Sequence, residues 1–375
     1  MDEKFVEKIR EEFPITKNFI YLNHASMGPM AERAVRATER YIRSLQLECN
    51  LREQEWYEMR ERVRDLGSQL IGAEPAEIAF VGNTSHGATM IANGFPFREG
   101  DTIVTCNEEF PANVYPWLNL SPKVETRFVQ SNKGRILFED LTRRVDSSTR
   151  IIALSFVEFS SGFRNDLERI GEFCERRGIF LFVDAIQGLG ALTLDVKKMK
   201  INGLSCGAPK WLLGPLGISI FYLDRKYWDA IKVTDCGWIH VVDWLNFRNY
   251  NLKFVPDAKK FEFATLNYSG ICGMGASIEM LLELGIGAIE ERIHHLTDRL
   301  CAGLVRKGYQ IYSSRQPKEW SGIVSCFKPG LDSNGIFDRL RADKIVVSVR
   351  DDRIRVSPHF YNTEAEIDKI VEVLP

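Results

Sequence analysis

Two residues of this sequence stand where folding alone does not ask for them. Asp184 closes the apolar run IFLFV (179–183) with no charged neighbour, and Lys210 lies in the turn-rich stretch CGAPKWLLGPLG (206–217). In an open parallel sheet, ligands bind beyond the carboxyl ends of the strands, so a carboxylate ending a buried strand faces a site by construction. The bland alternative for Asp184 is a helix N-cap. Trp211, Leu212 and Leu213 imply partial burial of Lys210, and desolvation lowers an amine's pKa and turns it into a nucleophile toward an aldehyde. Its bland alternative is a solvated loop lysine. Together the two residues are what pyridoxal 5′-phosphate requires: an acid to keep the ring nitrogen protonated, and an amine to bond its aldehyde.

Such a pair needs a scaffold, and the flanking pattern supplies one. EIAFVG (77–82), DTIVTC (101–106), RIIALSFV (150–157), IFLFVD (179–184) and GISIFYL (217–223) are strand-like runs. Between them lie stretches of helical length, TSHGATMIANGF, PANVYPWL and DLERIGEFCERRG. Alternation of this kind predicts an α/β domain on a mainly parallel sheet. Two packing helices are expected ahead of it, near 30–46 and 54–71. Beyond residue 275 a long amphipathic stretch leads to strands near 322–327, 345–349 and 353–356, the signature of a smaller α+β domain. The division expected is 16–275 for the large domain and 276–375 for the small one, joined by residues 1–15, with a continuous helix across 270–280.

Composition narrows the function. Of 375 residues, 45% are hydrophobic and 27% charged, the usage of a folded globular chain. The 49 Lys and Arg nearly balance the 51 Asp and Glu without forming basic runs, which argues against nucleic-acid binding. No stretch is apolar enough to cross a bilayer and the charged N-terminus has no signal-like segment, so a soluble, unprocessed, cytoplasmic protein is expected. The eight cysteines form no C-x-x-C pair and read as reduced thiols, most of them in the core.

The segments FVDAIQGLGALTLDV and CGAPKWLLGPLGISIFY resemble the core motif of the class V aminotransferase family, and the likeness runs from FIYLNHASMGP (19–29) to RIRVSPHFYNTEAEID (353–368). The family comprises fold-type I pyridoxal-phosphate enzymes, among them cysteine desulfurases, kynureninase and isopenicillin N epimerase. The resemblance implies a three-layer αβα large domain, with Lys210 and Asp184 as the catalytic pair. It implies a phosphate site at Thr84 and Ser85, where a strand turns into a helix and free N–H groups favour an anion; a plain Thr/Ser cap is the alternative. Phe110 would stack on the cofactor ring, rather than being a core phenylalanine, and Gln187 would bond near the ring hydroxyl. Thr265 would reach the phosphate of a neighbouring subunit's cofactor, making a homodimer with shared sites. For substrate, Arg355 would clamp an α-carboxylate, with His24 and Ser26 nearby. Arg350 could help, or could pair with Asp351 or Asp352. His24 could instead order an N-terminal turn, and His86 could be structural.

Departures from the family pattern bear on the reaction. Gly207, Ala208 and Pro209 stand where relatives carry Ser-x-His, removing two phosphate contacts. Phe159 replaces a polar Asn, and Ala264 replaces a Gly. Between Arg350 and Arg355 there is only DDRI, without the cysteine-bearing loop of desulfurases. Persulfide formation needs a poised thiolate, and Phe110 stands where desulfurases place a proton-carrying histidine. The expected activity is an aminotransferase acting at the Cα of an amino acid. A C–S lyase or an epimerase is the alternative, with a desulfurase or a non-catalytic cofactor-binding protein behind them.

Overall fold

The computed structural model of the chain describes Met1 and residues 3 to 375. A short strand β1 (Ile20–Tyr21) precedes seven strands of one sheet: β2 (Ile78–Val81), β3 (Asp101–Cys106), β4 (Val124–Val129), β5 (Thr149–Ser155), β6 (Phe180–Asp184), β7 (Gly203–Gly207) and β8 (Ser219–Leu223). Their spatial order is β2-β8-β7-β6-β5-β3-β4. Strands β3 to β7 pair in parallel, and only β8 runs antiparallel to its neighbours. The mainly parallel sheet anticipated from the sequence is present.

Burial on both faces explains the continuous apolar runs. Within β6, Leu181 and Val183 enter one core cluster while Phe180 and Phe182 enter the other, because successive side chains of a strand point to opposite faces. Register places Asp184 beside Ser155 of β5 and Ser205 of β7, so it ends the middle of the sheet. The edge strand β4 was not apparent in the sequence: Glu125 and Arg127 interrupt it, and its central residues are partly exposed. Pro111 and Pro116 break the helix suggested by PANVYPWL into a 3₁₀ turn and the four residues Tyr115–Leu118.

The C-terminal part adds β9 (Gln310–Ile311), β10 (Val324–Phe327), β11 (Ile345–Val346), β12 (Ser348–Arg350) and β13 (Arg353–Val356). An antiparallel sheet of order β12-β13-β10-β9 covers a core containing Leu296, Leu300, Ile354, Val356, Ile367 and Ile370. The continuous helix expected across 270–280 is present as Tyr268–Leu284, and a second helix, Ile286–Arg306, follows it at an angle of 80°. Gly285, at φ +80, makes the break. The first helix packs on Glu32–Glu48 and Glu53–Ile71, the second on Glu364–Val373. β1 pairs in parallel with β11, and Arg10 donates to the Glu366 carboxylate at 2.9 and 3.1 Å, so the chain's beginning is tied to its end. Among the described residues no single helix is long and apolar enough to cross a membrane.

Candidate active site

A cavity of about 290 Å³ opens at the carboxyl ends of the central strands. Asp184, Lys210, Gln187, Phe110, Thr84, Ser85, Ser26 and Arg355 all line it, together with Arg350 and Phe159. Residues far apart in sequence meet here because the ends of the large sheet's strands, the loop after β1 and the β12–β13 hairpin, which carries Arg350 and Arg355, converge on it.

Asp184 is 1% exposed. Its Oδ1 accepts the Ile186 N–H at 2.9 Å, while Oδ2 is buried without a partner. Burial lifts its pKa from 3.8 to about 6, with the Ile186 amide and Lys210 pulling the other way. At neutral pH it is an ionised carboxylate with one unsatisfied oxygen, a costly arrangement unless a cationic N–H occupies the cavity. Behind it lie two further buried acids. Glu109 is raised to about 8 by burial, against hydrogen bonds from Ser155 and Asn113 and with a push from Asp184. Burial and Glu109 hold Glu158 well above the usual carboxylate range. Neither was singled out in the sequence, where an acid after a strand looks like any loop residue.

The Lys210 amine forms no ion pair or hydrogen bond among the described residues and stands 5.5 Å over the Phe110 ring. Burial lowers it to about 8, helped by Arg355 and Arg350 and opposed by Asp184. Its turn is held from outside the sheet: Gly28 N–H donates to Pro209 O at 2.7 Å, and a Cβ on Gly28 would sit 2.1 Å from Lys210 O. Only a glycine permits that approach.

Thr84 and Ser85 open the helix Thr84–Gly94, whose N-cap Asn83 accepts the His86 N–H. The Thr84 and Ser85 amides donate to no acceptor among the described residues, so two N–H groups face the cavity end. Thr84 Oγ1 accepts from Gly207 N at 3.0 Å, which leaves its own hydroxyl proton free to donate. Phe110 is 43% exposed and presents its face to the cavity, braced edge-on by Phe159 with centroids 5.3 Å apart. Gln187 bridges the walls: Nε2 donates to Ala25 O at 2.9 Å and Oε1 accepts from Trp211 Nε1 at 3.1 Å.

Arg355 is 1% exposed and has no carboxylate partner among the described residues. Nε donates to Ser348 Oγ at 3.1 Å, Nη1 to Phe159 O at 2.6 Å and Nη2 to Ser26 Oγ at 2.7 Å. Of five guanidinium N–H groups two remain for a ligand. Burial and then Arg350 lower it to about 9, still cationic at neutral pH. Arg350 does not pair with Asp351 or Asp352; Asp351 is taken by Arg353 and Ser160.

His24 is the correction. It is fully buried outside the cavity, with Nδ1 on Ser357 O at 2.8 Å and Nε2 on Tyr361 OH at 2.6 Å. Both nitrogens are spent and burial drives its pKa well down, so it orders the turn that carries Ser26. Thr265 is exposed and lines a different cavity, with His86, Gly82 and Phe263, so its own chain does not bring it to Lys210. His86 accepts from Gly82 N–H and faces Asp235 at 3.5 Å.

The site fits the cofactor its residues suggested. The unpartnered Asp184 oxygen matches a ring N–H, the free amine matches an aldehyde, and the open helix start matches a phosphate. The sequence profile of the family described as Aminotransferase class-V matches residues 20–370. A probable cysteine desulfurase of Pyrococcus abyssi is 27% identical, with 98% of this chain and 96% of that protein aligned. The uncharacterised aminotransferase YcbU of Bacillus subtilis is 25% identical over 99% of this chain and 97% of its own length. Among solved structures, an apo cysteine desulfurase from Thermococcus onnurineus superposes with TM-score 0.89 at 25% identity, covering 98% of this chain and 96% of that one. With a profile match spanning nearly the whole chain and a cavity built for pyridoxal 5′-phosphate, this protein belongs to the class V aminotransferase family and is a pyridoxal-phosphate-dependent enzyme of fold type I.

Proposed function

We propose that the protein is an aminotransferase that acts at the Cα of an amino acid. The observation that carries the amino-acid reading is Arg355, a buried guanidinium without a counter-ion in the same cavity as a free lysine. When bound, pyridoxal 5′-phosphate supplies an aldehyde that condenses with amines and a cationic ring that accepts electrons. The protein's residues do the rest. Arg355 holds the α-carboxylate through its two remaining N–H groups, which fixes the Cα–H relative to Lys210. Lys210, lowered to about 8, is neutral in a useful fraction at physiological pH and takes the Cα proton as general base. It returns that proton to a different carbon; amino transfer is then completed by water, which releases an oxo acid, and by a second oxo acid, which carries the amino group away. Asp184 keeps the ring nitrogen protonated, and Phe110 covers the ring face while moving no proton.

Several relatives carry cysteine desulfurase names, and that reading has an obstacle in this chain. β12 and β13 are joined by Asp351 and Asp352 alone, at φ +47 and +57, the two-residue turn of a tight hairpin. Among the described residues no cysteine lines the cavity, and the nearby Cys206 is buried with its thiol pushed well up. A persulfide-forming enzyme needs a thiolate that reaches substrate sulfur. The exposed Thr265 supports the further reading that the working form is a homodimer in which this residue serves the partner's site. Sedimentation should then give twice the 42.9 kDa of the chain.

An amino-acid panel with product identification tests the proposal. An oxo acid with conversion of the cofactor to its pyridoxamine form supports amino transfer. Pyruvate with sulfide from cysteine, an inverted amino acid, or alanine with protein-bound sulfur would each replace it.

A further inference from the structure

Arg350 lines the same cavity as Arg355 and, like it, has no carboxylate within ion-pair distance among the described residues. Its one intramolecular hydrogen bond runs from Nη1 to the adjacent Val349 O at 2.7 Å. It lies close enough to depress both Arg355 and Lys210. Under the function proposed above, Asp184 and Lys210 are committed to the cofactor, the open helix start at Thr84 takes its phosphate, and Arg355 takes the α-carboxylate. One guanidinium is then left facing the substrate without an anion. Arg350, half-buried in the same cavity as the buried Arg355, adds a second positive charge there, and no carboxylate among the described residues pairs with it.

The hairpin that bears Arg350 is rigid. Its two-residue turn fixes β12 against β13, and Asp351 is drawn away to Arg353 and Ser160. Opposite stand Phe110 and Phe159, which offer apolar edges and no second acceptor or donor for a polar side chain. We infer that Arg350 is a specificity-determining residue that binds a second anionic group, so that the preferred substrate is an amino acid with an acidic side chain. The inference rests on the amino-acid reading of the site. The competing arrangement is that Arg350 and Arg355 share one α-carboxylate.

The experiment titrates the cofactor-loaded enzyme with α-methyl-aspartate, α-methyl-glutamate and the neutral 2-aminoisobutyrate, which lack a Cα–H and cannot turn over. Binding is followed by cofactor absorbance. The acidic compounds should bind at least about tenfold more tightly than the neutral one, the worth of a charge-assisted hydrogen bond. Arg350→Met should erase that ratio, and Arg350→Lys should keep part of it by retaining the charge. Normal cofactor loading of each variant shows that it has folded. If acidic and neutral compounds bind alike, or if Arg350→Met weakens both equally, the assignment of Arg350 is overturned while the amino-acid reading stands. If no compound perturbs the absorbance, both fall.

Discussion

With one oxygen on the Ile186 amide and the other unpartnered, Asp184 is ionised where the fold would rather have it neutral. The folded protein holds it at about 6 against 3.8 in an open chain, so its contribution to stability is whole below about pH 4 and is lost as pH rises through 6. Above that the charge costs on the order of 3 kcal/mol. Asp184→Asn should therefore stabilise the cofactor-free protein relative to wild type at pH 8 and lose this advantage near pH 4, as read from urea midpoints. The same change should cut turnover by about a hundredfold or more, since a neutral amide no longer keeps the ring nitrogen charged. Lys210 yields a second test. Its amine must be unprotonated to attack an aldehyde, so capture of added cofactor by apoprotein should quicken with pH and level off above about 8. Stopped-flow absorbance would follow it, and a rate flat from pH 6 to 9 would count against the buried amine. Both residues were legible in the sequence because each breaks a local pattern. For His24 and Arg350 the sequence left two roles open each, because the choice depends on partners more than 300 residues away or on the absence of partners, and neither leaves a local mark.

At the scale of elements, the lysine turn is shaped by the loop after β1 as much as by β7. Gly28→Ala would drive a methyl group into the Lys210 carbonyl. A cost of about 1–3 kcal/mol is expected, together with weaker cofactor loading, because the displaced turn carries the amine with it. Fluorescence of the bound cofactor and thermal melting would report the two effects separately. The strands that bear the site could be read from the sequence, since a two-sided core demands unbroken apolar runs. The edge strand Val124–Val129 could not, since exposure lets polar residues into its middle. Gly285 was equally silent: a glycine within a helical pattern reads as a weak helix until its backbone is seen at positive φ.

Across the whole molecule the two termini are stitched together. Arg10 bonds Glu366 and the Tyr361 carbonyl, in a pair whose side chains are 15% and 9% exposed. Arg10→Ala should cost about 1–3 kcal/mol of global stability, measured by urea unfolding, and should leave the cofactor's absorbance maximum unchanged because no cavity residue touches it. A larger shift in absorbance than in midpoint would contradict this separation. The linkage has a further outcome in the cell. The cavity wall at Ala25 and Ser26 is synthesised more than 300 residues before Arg355 and Ser357 Oγ, the groups that fasten it. A chain interrupted before Arg355 lacks both fastenings, so the Ala25–Ser26 wall stays untied until the strand Arg353–Val356 and the residue after it have been made.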